Sequence, residues 1–278
     1  MTTIELAEYG KEDLGVIAWR PDPALPALRM TLKISVGGNF LESYTSGDNS
    51  AVLPSDTLRR HALSEISKWD GDDCVDLTIR IGKRTLKANS AFTTVSVEAQ
   101  VEEWPACGTV SFSGFGIPYR VASTVRRGDV PEPSGGFSGL GLMATRGSAF
   151  TGFLRDDLTV QTEADDRPLV GTLDASWQYS PASTSHRAPV PFIAEVLRDA
   201  FSDRPSNSVQ QLIFEMAVDA LTRIEVLASI QLTFRSDPLA TIEGTIPNDR
   251  LTIRELGRGP VGSTSITLTR SSTLTKSR

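Results

Sequence analysis

The chain has few of the residues that hold metals and disulfides. Among 278 residues there are two histidines and two cysteines. Neither His61 nor His186 lies at metal-ligand spacing from another histidine, a cysteine or a carboxylate, so we expect no metal site. Cys74 and Cys107 are far apart and form no CxxC motif, which favours reduced thiols in a cytosolic protein.

Long basic segments and long apolar segments are also missing. The net charge is −6 and no long basic segment occurs, which argues against a nucleic-acid partner because phosphate binding needs clustered Lys and Arg. No apolar run approaches the length of a membrane span, and the acidic N-terminus lacks the apolar stretch of a signal peptide. We therefore expect a soluble, cytoplasmic protein.

Common cofactor and nucleophile motifs are absent as well. The sequence contains no P-loop, no G-x-G-x-x-G after a strand and no G-x-S-x-G elbow. Nothing in its composition indicates a bound redox cofactor. The residues themselves therefore give no sign of metal or cofactor chemistry.

Hydrophobic periodicity divides the chain into two similar halves. The segment 126–139, rich in Pro, Gly and Ser, predicts a boundary between a first half, 1–130, and a second half, 135–278. Both halves follow the order strands, helices, strands, although no residue-level repeat is visible. Strands are predicted at 28–45, 93–104, 108–121, 139–148, 168–180 and 225–234, with further candidates at 250–256 and 263–270. Helices are predicted at 55–68, 190–203 and 208–224.

Two local details depend on these assignments. Ser55 is placed to cap its helix, with Asp56 suited to the positive helix start. A hairpin through 105–108 would join the strands 93–104 and 108–121. The segment 74–90 fits an alternating strand and an amphipathic helix equally well, and periodicity alone does not decide between them.

Three polar segments remain as sources of chemistry. Taken singly, Lys11 reads as a solvated lysine, Ser55 as a helix cap, and Arg167 as half of a surface ion pair with Asp165 or Asp166. Taken together and in order, five segments resemble urate oxidase (uricase), a cofactor-free enzyme of the tunnelling T-fold. They are YGKEDLGV (9–16), GDNSAVLPSDT (47–57), SGLGLMATRGSAFTGFLRDDLT (138–159), EADDRPLVGTLDASWQY (163–179) and SNSVQQLIFEMA (206–217).

The resemblance implies an α+β fold of two T-fold halves. Each half would be a four-stranded antiparallel sheet with two helices on one face, which makes 74–90 a helix. Members of the family close their sheets into a barrel by oligomerising. We therefore expect a homotetramer whose sites lie between subunits and whose sheet edges are covered.

The resemblance also implies a proton relay on one chain. Lys11 matches the family's catalytic lysine, and Ser55 stands where a threonine is expected and keeps a hydroxyl. The backbone N–H of Asp56 would face the ligand. A partly desolvated lysine beside a hydroxyl can shuttle a proton.

The partner chain would recognise a flat anionic heterocycle. Phe150 matches a stacking phenylalanine, Arg167 an arginine that binds ring acceptors, and Gln210 a glutamine on the opposite edge, with Val209 offering a backbone N–H. Each residue type suits its task. An aromatic face stacks on a flat ring, a guanidinium donates two parallel hydrogen bonds to adjacent acceptors, and an amide both donates and accepts hydrogen bonds. Such an electron-rich anion can reduce dioxygen directly.

The resemblance breaks at an Asn-x-His stretch that follows the last helix in the family. Counted without gaps, Ser236 stands at the asparagine and Pro238 at the histidine, and proline has no group that transfers protons. A second register, with a long insertion, would use Asn248 and put Arg250 at the histidine. Arginine is no base near neutral pH. His186, in a loop that precedes a helix, is a further and less favoured candidate to replace the missing histidine.

Three functions stay open from the sequence. One is a uricase-like oxidase or oxygenase with an altered relay, acting on urate or a related planar heterocycle. Another is an ordinary, slow urate oxidase. The last is a non-catalytic purine-binding or structural homologue.

Overall fold

The computed structural model describes residues 4, 6–20, 22, 25–70, 73–114, 116–180, 189–202, 204–240, 254–257 and 261–271. The chain divides into two compact units, Met1–Phe137 with Gln178–Pro189, and Ser138–Trp177 with Val190–Arg278. Each unit consists of an antiparallel sheet with helices packed against it.

The first unit carries a sheet in the order β1-β2-β3-β4-β5 with two main helices. Helix α3 packs on β3 and β4, and α2 packs on α3 and β1. Alternate side chains of β2, including Leu32 and Val36, are fully buried as the period of two requires. The elements are β1 (Glu8–Ala18), β2 (Ala27–Gly38), α1 (Glu42–Thr45), α2 (Ser55–Ile66), α3 (Cys74–Ala88), β3 (Phe92–Trp104), β4 (Tyr119–Arg126) and the start of β5 (Glu132–Phe150).

The second unit repeats this plan. Its sheet runs in the order β5-β6-β7-β10, α5 packs on β7 and β10, and α4 packs on α5. Leu173, Met216 and Phe234 are fully buried in its core. The remaining elements are β6 (Ala164–Tyr179), α4 (Val190–Phe201), α5 (Val209–Arg223), β7 (Leu227–Ser236), β8 (Leu239–Ala240), β9 (Glu255–Leu256) and β10 (Gly262–Thr269).

Segment 74–90, which fitted two patterns, is the helix α3. The carboxylate of Asp73 caps it by accepting from the backbone N–H groups of Val75 at 2.8 Å and Asp76 at 3.2 Å. Leu77 and Ile81 are fully buried against the sheet. The cap and the helical spacing of the buried residues explain why the helix forms rather than a strand.

Several predicted boundaries were wrong. The predicted strand 28–45 ends at Gly38 and is followed by the short helix α1, and the return strand starts only at Tyr119. Residues 105–113 close on themselves instead, since Cys107 N–H donates to Ser111 O and Ser113 N–H to Pro105 O. The strand β1 was not predicted.

The segment 126–139, which was predicted as a boundary, lies partly within β5. The first division between the two compact units, at Phe137 and Ser138, falls inside this segment.

An arginine anchors the C-terminal end of α3. Arg127, which directly follows β4, donates to the backbone carbonyls of Leu86 at 3.0 Å, Asn89 at 3.1 Å and Phe92 at 2.9 Å. The last carbonyls of a helix have no partner within the helix. One guanidinium therefore ties the end of α3 to the start of β3.

The second unit has the same arrangement at the end of α5. Arg270, which follows β10, donates to the carbonyls of Leu221, Ile224 and Leu227. In both units the three accepting carbonyls are spaced three residues apart. We call each arrangement an arginine clamp. The two clamps are a residue-level correspondence between the halves that the sequence pattern did not reveal.

Candidate functional site

Lys11 lies on β1 at an irregular point of the strand. It pairs with Ile34 of β2, and the register then shifts between Lys11 and Leu14. Asp13 has a φ of 55°, a left-handed conformation that non-glycine residues adopt uncommonly. The bulge therefore interrupts the regular alternation of β1 immediately after the lysine.

Tyr9 ties the segment before α2 to the same strand. Its hydroxyl accepts from the backbone N–H of Leu53 at 2.9 Å, and its ring packs edge-on against Phe40 at 5.2 Å. Burial raises the pKa of the Tyr9 phenol above its ordinary value. Since α2 also contacts β1, Lys11 and Ser55 are carried by two elements that pack together.

Ser55 is the first residue of α2 and does not cap it, so that prediction was wrong. Pro54 occupies the cap with φ −53° and ψ 138°, and its carbonyl accepts from Thr57 N–H at 2.8 Å. Because Pro54 already holds the extended position ahead of the helix, Ser55 takes a helical conformation. Within the described residues the Ser55 hydroxyl makes no hydrogen bond.

Asp56 occupies the first turn of α2, as predicted. Its carboxylate pairs with Arg59 at 2.7 Å and Arg60 at 3.2 Å. The hydrogen bonds from Arg59 and then Arg60 lower the pKa of this exposed carboxyl. The side chain is thus engaged along the helix, which leaves only the backbone N–H for the expected ligand role.

Phe150 and Arg167 are brought together in the second unit. The ring of Phe150, at the end of β5, lies parallel to Phe153 with centroids 4.7 Å apart and planes 11° apart. The guanidinium carbon of Arg167 lies 5.6 Å from the Phe150 centroid, and that of Arg155 lies 4.8 Å from the Phe153 centroid. These distances suit aromatic stacking and cation–π contact.

Arg167 makes no ion pair with a neighbouring aspartate in the described part of the chain. Asp166 instead accepts from the backbone N–H of Gly147. The Nε of Arg167 is buried and has no hydrogen-bond partner in the structure. A buried donor without a partner is costly, and such groups usually await a water or a ligand.

The start of α5 is held next to Phe150. Ser206 accepts from Ala149 N–H and donates to Gly147 O, each at 2.8 Å. Ser208 then caps the helix by accepting from Gln211 N–H at 3.1 Å, one residue before the helix, which was predicted to start at Ser208. The next two residues are the expected ligand contacts, Val209, which is buried, and Gln210, which is exposed.

A cavity of about 510 Å³ adjoins Arg167. Its lining includes Ser236 and Pro238, the residues at the family's asparagine and histidine positions, together with Gln161, Asp237 and Arg254. The Ser236 hydroxyl donates to Gly262 O at 3.3 Å. Sequence reasoning missed Gln161 and Asp237, which belong to no motif and are recognisable only once the strands pair.

The described histidine is not part of this site. His61 is buried in α2, and its Nδ1 lies 3.3 Å from the Thr85 hydroxyl. Burial and then the charge of Arg84 lower the pKa of the imidazole, which favours its neutral form in the core. The other candidates, His186, Asn248 and Arg250, lie outside the described residues.

The eight predicted site residues fall into two groups, one in each unit. The first unit holds Lys11, Ser55 and Asp56, and the second holds Phe150, Arg167, Val209, Gln210 and Ser236. Within the residues that the structure describes, no group of histidine, cysteine and carboxylates could hold a metal, and no helix is long and apolar enough to cross a membrane.

Solved uricases share this fold. That of Arthrobacter globiformis matches with a TM-score of 0.87 over 98% of this chain and 96% of its own, at 19% identity. The urate oxidase of Bacillus sp. TB-90 matches with a TM-score of 0.82 over 95% and 100%, at 22% identity. The chain is therefore an α+β protein of the T-fold class.

Sequence comparison points to uricases as well. The Uricase family model matches residues 134–255, which include all five site residues of the second unit. The uricase of Haloferax volcanii is 26% identical over 79% of both chains, and uricase-2 isozyme 1 of Canavalia lineata is 28% identical over 71% of both. The chain is therefore similar to uricases in both sequence and fold.

Proposed function

We propose that the chain is a cofactor-free oxidase that acts on urate or a related planar nitrogen heterocycle with dioxygen. The similarity to uricases supports a urate-oxidase-like oxidoreductase. The observation that carries the proposal is the pairing of Phe150 and Arg167, with an unpartnered buried guanidinium nitrogen, beside a cavity of ligand size.

The second unit supplies recognition in this proposal. Phe150 stacks on the flat ring, and Arg167 donates parallel hydrogen bonds to adjacent ring acceptors, which lysine could not do. Gln210 and the backbone N–H of Val209 bind the opposite edge. The backbone hydrogen bonds of Ser206 with Gly147 and Ala149, called the backbone bridge below, support this geometry. They hold the end of β5, which carries Phe150, next to the start of α5.

The first unit of a neighbouring chain supplies the proton relay. Lys11 and Ser55 act on the ligand, and the backbone N–H of Asp56 faces it. We infer a homotetramer with sites between subunits. The segment after Phe150 supports an assembly, because Leu154, Leu158 and Val160 are 96%, 81% and 94% exposed in the single chain.

The relay differs from that of the family. Pro238, at the histidine position of the ungapped register, moves no proton, and Arg250 in the alternative register is no base. Lys11 and Ser55 then carry more of the proton transfer. A substrate other than urate, with different proton requirements, would account for the change.

The direct test mixes purified protein with urate in air and follows ultraviolet absorbance together with hydrogen peroxide. We expect turnover that Lys11→Ala abolishes while urate binding stays largely intact. The reason is that the lysine transfers protons, whereas other residues stack on the ring and hydrogen-bond to it. Lys33→Ala is the matched control, since Lys33 lies on the adjacent strand and pairs only with Glu12 among the described acidic groups.

The other outcomes separate the alternatives. Turnover that survives Lys11→Ala refutes Lys11 as the base. Tight urate binding without turnover would support a non-catalytic homologue, which the loss of the histidine favours. If no purine binds, every version that rests on Phe150, Arg167 and Gln210 fails.

A further inference from the structure

The cavity beside Arg167 contains a carboxylate that the proposed relay does not use. Asp237 follows β7 directly and lies between Ser236 and Pro238. Its backbone N–H donates to Val170 O at 2.9 Å, which fixes it next to β6, the strand that carries Arg167. Within the described residues its half-buried side chain has no hydrogen bond or ion pair.

The charges around Asp237 allow an anionic ligand to enter. Among the described residues that line this cavity, Asp237 is the one carboxylate, and the guanidinium groups of Arg167 and Arg254 line it as well. These three side chains carry more positive than negative charge at neutral pH, which favours an anionic heterocycle even with the carboxylate ionised. An ionised carboxylate only accepts hydrogen bonds, so it will face an N–H of the ligand or a water.

We propose that Asp237 is the proton acceptor that replaces the family's histidine. The inference rests on the proposed function and on the register that places Pro238 at the histidine. Asp237 directly precedes that position in the chain and lines the same cavity. A carboxylate performs general-base catalysis, whereas the proline beside it has no such group.

The step balances with dioxygen as the oxidant. A ring N–H bond of the heterocycle breaks, its electron pair stays on the ring, and the proton forms an O–H bond on the Asp237 carboxylate. The ring then gives two electrons and a second proton to dioxygen, which becomes hydroperoxide. Asp237 returns the first proton to the hydroperoxide, which gives hydrogen peroxide, and water adds to the oxidised ring.

The test compares Asp237→Asn and Asp237→Glu with the wild-type protein, using urate as the probe. Asparagine keeps the shape and cannot accept the proton, so we expect kcat to fall by about a hundredfold or more while urate binding changes little. Glutamate should retain most of the turnover. Asp129→Asn is the matched control, because Asp129 also follows a strand end in an exposed turn and does not line this cavity.

A second measurement does not depend on turnover. The ultraviolet spectrum of urate bound without oxygen reports the ionisation state of its ring. With the wild-type protein we expect the spectrum of the more deprotonated ring, and with Asp237→Asn the spectrum of the form present in solution. Identical spectra for the two proteins would overturn the proposal.

The failures of the two proposals can be told apart. If the wild-type protein oxidises urate and Asp237→Asn does so within about threefold of it, a change too small for a lost general base, Asp237 is not the acceptor and the proposed function stands. If the wild-type protein binds urate but oxidises neither urate nor any related planar heterocycle, the proposed function fails and the inference fails with it.

Discussion

At the scale of single residues, Arg167 is the member of the candidate site whose contacts point most directly to a ligand. Its guanidinium lies near the Phe150 ring and lines the cavity, and its buried Nε has no hydrogen-bond partner among the described residues. A guanidinium in this position can present two parallel N–H groups to adjacent acceptors of a flat ring. The charge alone would not give that match.

Arg167→Lys should therefore weaken urate binding although it keeps the charge. We expect a loss of roughly ten- to a hundredfold, the equivalent of one or two charge-assisted hydrogen bonds. Calorimetric titration with urate under anaerobic conditions measures it. Arg120→Lys is the control, because Arg120 makes an exposed ion pair with Glu98. Equal urate affinity in the two variants would contradict the pair of parallel hydrogen bonds expected from Arg167.

Residue identity could be predicted well from the sequence where a motif carried it. Phe150 and Arg167 were predicted from the resemblance, and the structure brings them together. The cap at Ser55 was wrong, because the preceding proline takes the extended position that a cap requires. Asp237 could not be predicted, since its importance comes from strand pairing with Val170 and not from any local pattern.

At the scale of elements, the arginine clamps have a measurable effect on stability. Arg127 and Arg270 each bind three carbonyls around a helix end. Arg127→Ala and Arg270→Ala should each lower the free energy of unfolding by about 2–4 kcal/mol, because hydrogen bonds from charged groups are strong and the carbonyls lose their partner. Urea unfolding followed by circular dichroism measures this loss.

The control for the clamps is Arg126→Ala. Arg126 neighbours Arg127 but makes an exposed pair with Glu132, and exposed pairs contribute about 0–1 kcal/mol. If the variants of Arg126 and Arg127 unfold at the same urea concentration, the clamp has no special role.

Elements with one buried face were predicted reliably. Strand β3 and helix α5 begin within one residue of their predicted starts, since burial imposes a clear period on each. Strand β1 was missed because most of its side chains are half-buried or exposed. The predicted start of β4 was wrong because six of the eleven residues 108–118 are glycine, serine or proline, and backbone hydrogen bonds close the turn 105–113 locally.

At the scale of the whole molecule, the division of the site residues between two units predicts complementation between variants. If each site takes Lys11 from one chain and Arg167 from another, Lys11→Ala and Arg167→Ala should be inactive alone. Co-expressed, they should form mixed assemblies with about a quarter of the sites intact, as random pairing of two chains requires. Turnover of the mixture measures it.

The matched control co-expresses Phe150→Ala with Arg167→Ala. Both lesions lie in the second unit and close together, so each site receives one or the other and no activity should return. Equal recovery in the two mixtures would show that the site does not combine two chains. Light scattering on the same samples gives the size of the assembly.

The two-unit plan follows from hydrophobic periodicity, and the resemblance to uricases follows from the motifs. An assembly is expected from that resemblance alone, because periodicity reports which face of an element is buried and not which chain buries it. The exposed apolar side chains after Phe150 become visible only when the fold is known.

The backbone bridge through Ser206 limits how this site can diversify. It fastens the strand that ends in Phe150 to the residue that precedes the capped start of α5, so the stacking ring and the amides of the helix start are coupled mechanically. A shift of one displaces the other. If the site binds a ligand as proposed, we therefore expect its preference to change through substitutions such as those at Ser236 and Pro238 and not through movement of this backbone.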